Sequence, residues 1–211
     1  GGFSRYTVDP EWKVPHFEKM LYDNAQLISL YSFAYQKNGN EKYKSVIEKS
    51  LDFVKNNLTN QDGSFYSSLD AETEGEEGKF YVWTEKEIND GLGAGSDLEI
   101  FKYTYGIKEA GNWEKGKNVL FTVVDVKSTA KKFKKSESEI LQSLNDSRNK
   151  LVKVKSNRKK PKLDDKILTA WNSLMIRACI DASAALNNKE YLNSAIKSCL
   201  LSTSPSPRDR T

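Results

Sequence analysis

Two stretches near opposite ends of the chain are apolar on almost every face, and this constrains the fold more than any other feature. Residues 17–37 place Phe17, Met20, Leu21, Leu27, Ile28, Tyr31 and Ala34 at helical spacing, then add Leu30, Phe33 and Tyr35 on the remaining faces. A helix apolar nearly all round is buried on most sides. The turn Asn38-Gly39-Asn40 ends it, because glycine and asparagine tolerate the left-handed conformation at a helix terminus. Residues 41–57 then set Tyr43, Val46, Ile47, Leu51 and Val54 on one side and Lys and Glu on the other, which predicts an outer helix packed by one face. The arrangement recurs. Residues 166–186 carry Ile167, Trp171, Leu174, Met175, Ala178 and Ile180, Asn187-Asn188 forms the turn, and residues 189–201 are amphipathic through Tyr191, Leu192, Ala195, Ile196 and Cys199. This repeat predicts a mainly α fold, a partial α/α toroid in which stacked hairpins share a core between their inner helices.

The intervening chain reads differently. Residues 64–69 and 79–83 have strand composition and flank the acidic loop Asp70-Ala71-Glu72-Thr73-Glu74-Gly75-Glu76-Glu77-Gly78, which predicts a small β-hairpin insertion. Thr84 with Glu87, Ser96 with Glu99 and Ser136 with Glu139 have capping-box spacing, in which side chains satisfy the free amides of a helix start. The last of these opens a longer helix, to about residue 154. Residues 118–124 read as a short strand and 155–162 as a basic linker.

Composition narrows the class. With 211 residues, 37% hydrophobic and 11% aromatic, the chain can build the core of one domain, assigned to residues 1–200. The final string STSPSPRDRT has no apolar periodicity and two prolines, so residues 201–211 are expected to be a tail foreign to the natural protein. No apolar stretch approaches the ~20 residues of a membrane span, and no secretory leader opens the chain. A soluble, cytoplasmic protein is expected, and the lack of an initiating methionine marks it as a piece of a longer one. Cys179 and Cys199 have neither disulfide-framework nor metal-ligand spacing. Residues 1–125 hold 14 basic against 21 acidic side chains and the remainder 19 against 8. The basic residues form no recognisable nucleic-acid-binding motif, so a solvated face is expected rather than a nucleic-acid partner.

Chemistry is expected where loops lead into the inner helices, because helix ends there present free amides and loops can project side chains inward. His16, the only histidine, stands beside Pro15 at one such entry and is suited to carry a proton near neutrality. Asp164 and Asp165 stand at the other, one as a cap and one free to meet a ligand. The acidic loop fails as a calcium site, since Tyr81 occupies the position of the bidentate acid. Its charge calls instead for a Lys or Arg partner, a cation or a hydroxyl-rich ligand. Trp12, Trp83, Trp113 and Trp171, with Tyr22, Tyr66 and Tyr81, supply faces on which the CH side of a sugar ring packs.

Four segments carry a family resemblance: VPHFEKMLYDNAQL (14–27), SFYSSLDAETEGEEGKFYVWT (64–84), GNWEKGKNVL (111–120) and LDDKILTAWNSLMI (163–176). Together they resemble the spermatogenesis-associated protein 20 family from Gly1 to about Cys199, more weakly between Asp125 and Arg158. The resemblance implies a thioredoxin-like domain, absent from this sequence, followed by a six-hairpin glycosidase-like toroid similar to sugar epimerases. It therefore implies carbohydrate handling, epimerase-like or glycosidase-like, or else a non-catalytic scaffold serving the thioredoxin-like domain. The expected catalytic residues are His16, Asp70, Glu72, Asp164 and Asp165, and the expected sugar contacts Glu18, Tyr22, Asp23, Trp83 and Trp171. The expected ligand is a sugar or glycoside, with no metal, cofactor, nucleic acid or membrane.

Overall fold

The computed structural model describes residues 1–202; the rest of the expected tail, 203–211, lies outside them. In chain order the elements are β1 (Lys19–Met20), α1 (Leu21–Asn38), α2 (Glu41–Asn57), β2 (Ser68–Leu69), β3 (Glu72–Thr73), β4 (Glu76–Glu77), β5 (Trp83–Thr84) and α3 (Glu85–Leu92). There follow α4 (Ser96–Tyr105), β6 (Lys117–Asn118), α5 (Val126–Phe133), α6 (Glu137–Ser156), β7 (Leu163–Asp164), α7 (Thr169–Leu186) and α8 (Lys189–Ser202). The chain divides into two compact units, one of residues 1–6, 15–72 and 161 onward, the other of residues 7–14 and 73–160.

The first unit holds the two hairpins. Gly39 (φ 63°) and Asn187 (φ 51°) take the left-handed conformation that ends α1 and α7, as the turn residues predict. The inner helices α1 and α7 pack along each other, and α2 and α8 fold back on them. Leu21, Ala25, Ile28, Met175, Ala178 and Ala182 are completely buried between these elements, with Ile47, Val54 and Leu58 from the outer side. Their second apolar face is open: Leu30, Phe33, Leu174 and Ile180 are exposed. A three-stranded sheet ordered β1-β2-β7 sets the start of both inner helices. β2 runs antiparallel to β1 and to β7, so β1 and β7 are parallel and α1 and α7 leave the sheet side by side in the same direction. Parallel inner helices with outer helices returning are the pattern of a toroid sector.

The two inner helices begin alike. Asn24 is fully buried and its amide grips both the N–H and the C=O of Phe3 (2.7 and 3.3 Å), also donating to the Met20 carbonyl at the helix start (2.8 Å). Asn172, at the same place in α7, grips Phe65 (2.8 and 2.9 Å) and donates to Leu168 (3.1 Å). In each case one buried amide satisfies the N–H and C=O of a residue outside the named strands.

The second unit is built from α3 to α6 around Ile88, Ile100, Phe101, Ile140 and Leu144. Capping boxes form at Thr84–Glu87 and Ser136–Glu139. At α4 the box does not form, because Gly95 occupies the cap position and Ser96 is already inside the helix. The hairpin is smaller than residues 64–83 suggest. Glu74 and Gly75 both have positive φ (56° and 76°), the pair a tight hairpin turn requires, so the chain reverses inside the acidic loop between β3 and β4. Ser68–Leu69 therefore pairs with β1 and β7 instead, and Trp83–Thr84 pairs with Lys117–Asn118. The strand expected over 118–124 is limited to that pairing, and α5, capped by the Asp125 carboxylate on Ser128 N–H (2.8 Å), was not apparent from periodicity.

Candidate functional site

The segment entering α1 gathers ionisable and aromatic side chains of the first unit. Backbone bonds from Arg5 N–H to Glu18 O and from His16 N–H to Tyr6 O lay residues 5–6 beside residues 16–18. That pairing stacks Tyr6 on the His16 ring (4.7 Å, 14°) and brings Arg5 Nη1 to Glu18 Oε2 at 3.0 Å. His16 Nδ1 is buried with no hydrogen-bond partner, and Glu18 Oε2 stands 3.8 Å away, too far to bond. Tyr22, in the first turn of α1, meets Trp171 edge-to-face at 4.8 Å. Its hydroxyl, then Glu18, holds Arg5 firmly in the charged form.

Asp23 is the unusual acid. Its Oδ2 is buried and unpartnered. Burial pushes the carboxyl above the ordinary range; the Arg5 charge opposes this and the Glu18 charge adds to it. Unpaired buried polar atoms are uncommon in folded proteins and costly, and here two of them, on His16 and Asp23, flank one Arg5–Glu18 pair. The cost gives a test. Because the folded-state carboxyl is raised above its unfolded value, the folded state holds the proton more tightly. Stability is then lost as pH rises from the ordinary carboxylate range, near 3.8, through the raised value. We expect Asp23→Asn to be more stable than wild type at pH 7, with the gap closing below about pH 4 in denaturant titrations at several pH values.

The sheet adds carboxylates. One residue beyond the ladder, the β1-β2 register sets Glu18 opposite Asp70, whose N–H donates to Lys162 O at 2.9 Å. Alternation then puts Glu18, Asp70 and Asp164 on one face, opposite to Leu69 and Leu163, which pack on the core. Asp164 is held low by its bond to Lys166 (3.0 Å). Glu72 and Asp165 are exposed, and Asp70 Oδ1 accepts from Glu72 N–H at 3.1 Å. Trp83 belongs to the second unit, where it is 3% exposed beneath the Arg158 guanidinium. Sequence reasoning missed Arg5 and Tyr6, since nothing in an isolated Arg-Tyr pair signals that it will lie against His16.

Three lysines, Lys79, Lys115 and Lys117, approach Glu76, and Lys79 also reaches Glu74 at 3.1 Å. Lysine partners thus meet part of the acidic loop's charge, at Glu74 and Glu76. Among the described residues no cluster of His, Cys, Asp or Glu could hold a metal ion, and no helix is long and apolar enough to cross a membrane. A cavity of about 210 Å³ lies among Leu51, Phe65, Met175, Cys179, Tyr191 and Lys197 and is lined by none of the cluster residues. Its chemistry is quiet: burial pushes the Cys179 thiol to about 12, and Glu190 is paired with Lys55 at 3.3 Å.

No family model matches the chain. It is 38% identical to human spermatogenesis-associated protein 20 over 92% of its own length, and 36% identical to the mouse protein of that name over the same share. The chain belongs to the spermatogenesis-associated protein 20 family. It spans 28% of the length of these relatives. Among solved structures a D-mannose isomerase aligns over 93% of this chain and 44% of its own, with a TM-score of 0.33 and 16% identity. In this member of the spermatogenesis-associated protein 20 family the segments 14–27 and 163–176 supply the starts of both inner helices.

Proposed function

We propose that the first unit handles a carbohydrate and exchanges a proton with it, in the manner of an epimerase, with His16 as base and Asp23 as acid. The single observation that carries the reading is the pair of buried, unpartnered atoms, His16 Nδ1 and Asp23 Oδ2, around the Arg5–Glu18 ion pair. An acid–base pair needs one group to give a proton and one to accept it. Burial pushes the Asp23 carboxyl up and so favours its protonated form, and an imidazole is a common acceptor. Tyr22 and Trp171 offer half-buried ring faces for the apolar side of a sugar, and Glu18 and Asp70 offer acceptors for its hydroxyls.

A glycosidase reading has one observation in its favour. Asp70 and Asp164 are diagonal neighbours on adjacent strands, a spacing of ~7–8 Å that overlaps the ~6.5–9.5 Å of inverting enzymes. Asp164, however, is held ionised by Lys166 and suits only the base role. A panel of reducing sugars and aryl glycosides in deuterated water separates the readings. Exchange of a carbon-bound proton, lost by at least ~100-fold in His16→Ala and Asp23→Asn, supports epimerisation. Glycoside cleavage supports hydrolysis, saturable binding without turnover supports a scaffold, and no binding removes the carbohydrate proposal.

A further inference from the structure

The second unit holds an amine in an unusual setting. Lys155, in the last turn of α6, is half-buried, with Nζ over the Phe80 ring at 5.3 Å and the Tyr81 ring at 5.8 Å. The two rings stand nearly perpendicular, 5.1 Å apart. Among the described residues no carboxylate lies within ion-pair distance of it. Its charged neighbour is Arg158, one turn on, whose guanidinium is fixed against Trp83 at 3.9 Å and bonded to the carbonyls of Phe80 and Val82 at 3.1 and 2.8 Å. Glu87, the nearby acid, is taken by Arg158 at 3.0 Å.

We propose that Lys155 is a covalent modification site, a nucleophilic amine that takes an acyl group from a thioester. Three features make it so. Burial disfavours the ammonium, a second cation sits beside it, and the counter-charge that would restore it is spent on Arg158. Both burial and the Arg158 charge lower its pKa from the ordinary 10.5. The ring faces attract the cation and offset part of that loss, but they supply no counter-charge. Desolvation beside another cationic group is a recognised way to free a lysine lone pair. In the step, that lone pair attacks the acyl carbon and an N–C bond forms. The C–S bond breaks, the thiolate leaves and takes up the amine proton, and an amide and a thiol remain. The product is neutral and better suited than an ammonium to a seat made of two rings.

The test uses the whole chain and a small acetyl thioester at pH 7.4. After quenching, the protein is denatured, all remaining amines are labelled with isotopically heavy acetic anhydride, and the light fraction at each lysine is read by mass spectrometry. We expect Lys155 to be acetylated about threefold or more faster than the exposed Lys153 and Lys159. The preference should vanish in denaturant and narrow as pH approaches 10.5, where every lysine becomes nucleophilic. A native rate at Lys155 equal to or below that of Lys153 overturns the proposal. So does a preference that survives denaturation or persists unchanged at high pH.

Discussion

Asn172→Ala lowers the stability of the first unit by about 2–5 kcal/mol, because each buried polar group left unpaired costs roughly 1–3 kcal/mol. Asn172 is 2% exposed and Phe65, whose N–H and C=O it binds, is 3% exposed. Water cannot readily replace the amide, so two backbone groups are stranded together. The reading predicts an asymmetry. Asn24→Ala removes an equivalent clamp, but Phe3 is half-buried and can be solvated, so its cost should fall toward the lower end. Denaturant unfolding followed by circular dichroism gives the global change, and hydrogen exchange at the Phe65 amide gives the local one. A loss below about 1 kcal/mol for Asn172→Ala, within the range of an ordinary surface bond, would mean the clamp is decorative.

These asparagines also show what the sequence makes legible. Helix faces follow from side-chain period, so α2 is foreseen to the residue, and α1 and α7 are foreseen apart from their first turns. Those first turns differ because residues 17–20 and 166–168 are drawn into strand or extended backbone by the sheet, an effect of partners far along the chain. The segments LYDNAQLI and TAWNSLMI carry asparagine at the same step of each inner helix. The shared step is a signal that the buried clamps explain afterward. It reads as a mere polar interruption until the segment it grips is known. Two-residue strands are harder still: β1, β2 and β7 are too short for alternation, and their register is fixed by α1 and α7 packing together.

The candidate site divides along the same line. Local sequence puts His16 at a helix entry, and the family resemblance adds Glu18, Tyr22, Asp23 and Trp171 as expected sugar contacts. Their mutual geometry depends on Arg5 and Tyr6, placed by the Asn24 clamp on Phe3 two residues earlier. The stacked Tyr6 ring and the Arg5 charge are thus held by a residue with no part in the chemistry. A route to disrupting the site without touching its acids follows: Asn24→Ala should loosen Arg5 and Tyr6 before it unfolds the helices.

Arg158→Ala is expected to cost the second unit about 2–4 kcal/mol, for a reason its surroundings in sequence conceal. It lies in a basic run that reads as solvated linker, yet its guanidinium binds the carbonyls of Phe80 and Val82 and caps the buried face of Trp83. Burial lowers its pKa, though a guanidinium remains charged in proteins. The planar fork matters more than the charge. A lysine ammonium cannot stack on the indole and serve several carbonyls at once, so Arg158→Lys should recover less than half of the loss. Glu87→Gln should cost at most about 1 kcal/mol, since that carboxylate is 46% exposed and its ion pair is screened by water. Thermal unfolding of the three variants, with tryptophan emission as the reporter of Trp83 burial, orders them. If lysine restores wild-type stability, charge rather than shape holds residues 79–83 against the end of α6, and the account of Lys155 as an amine starved of counter-charge must be revised with it.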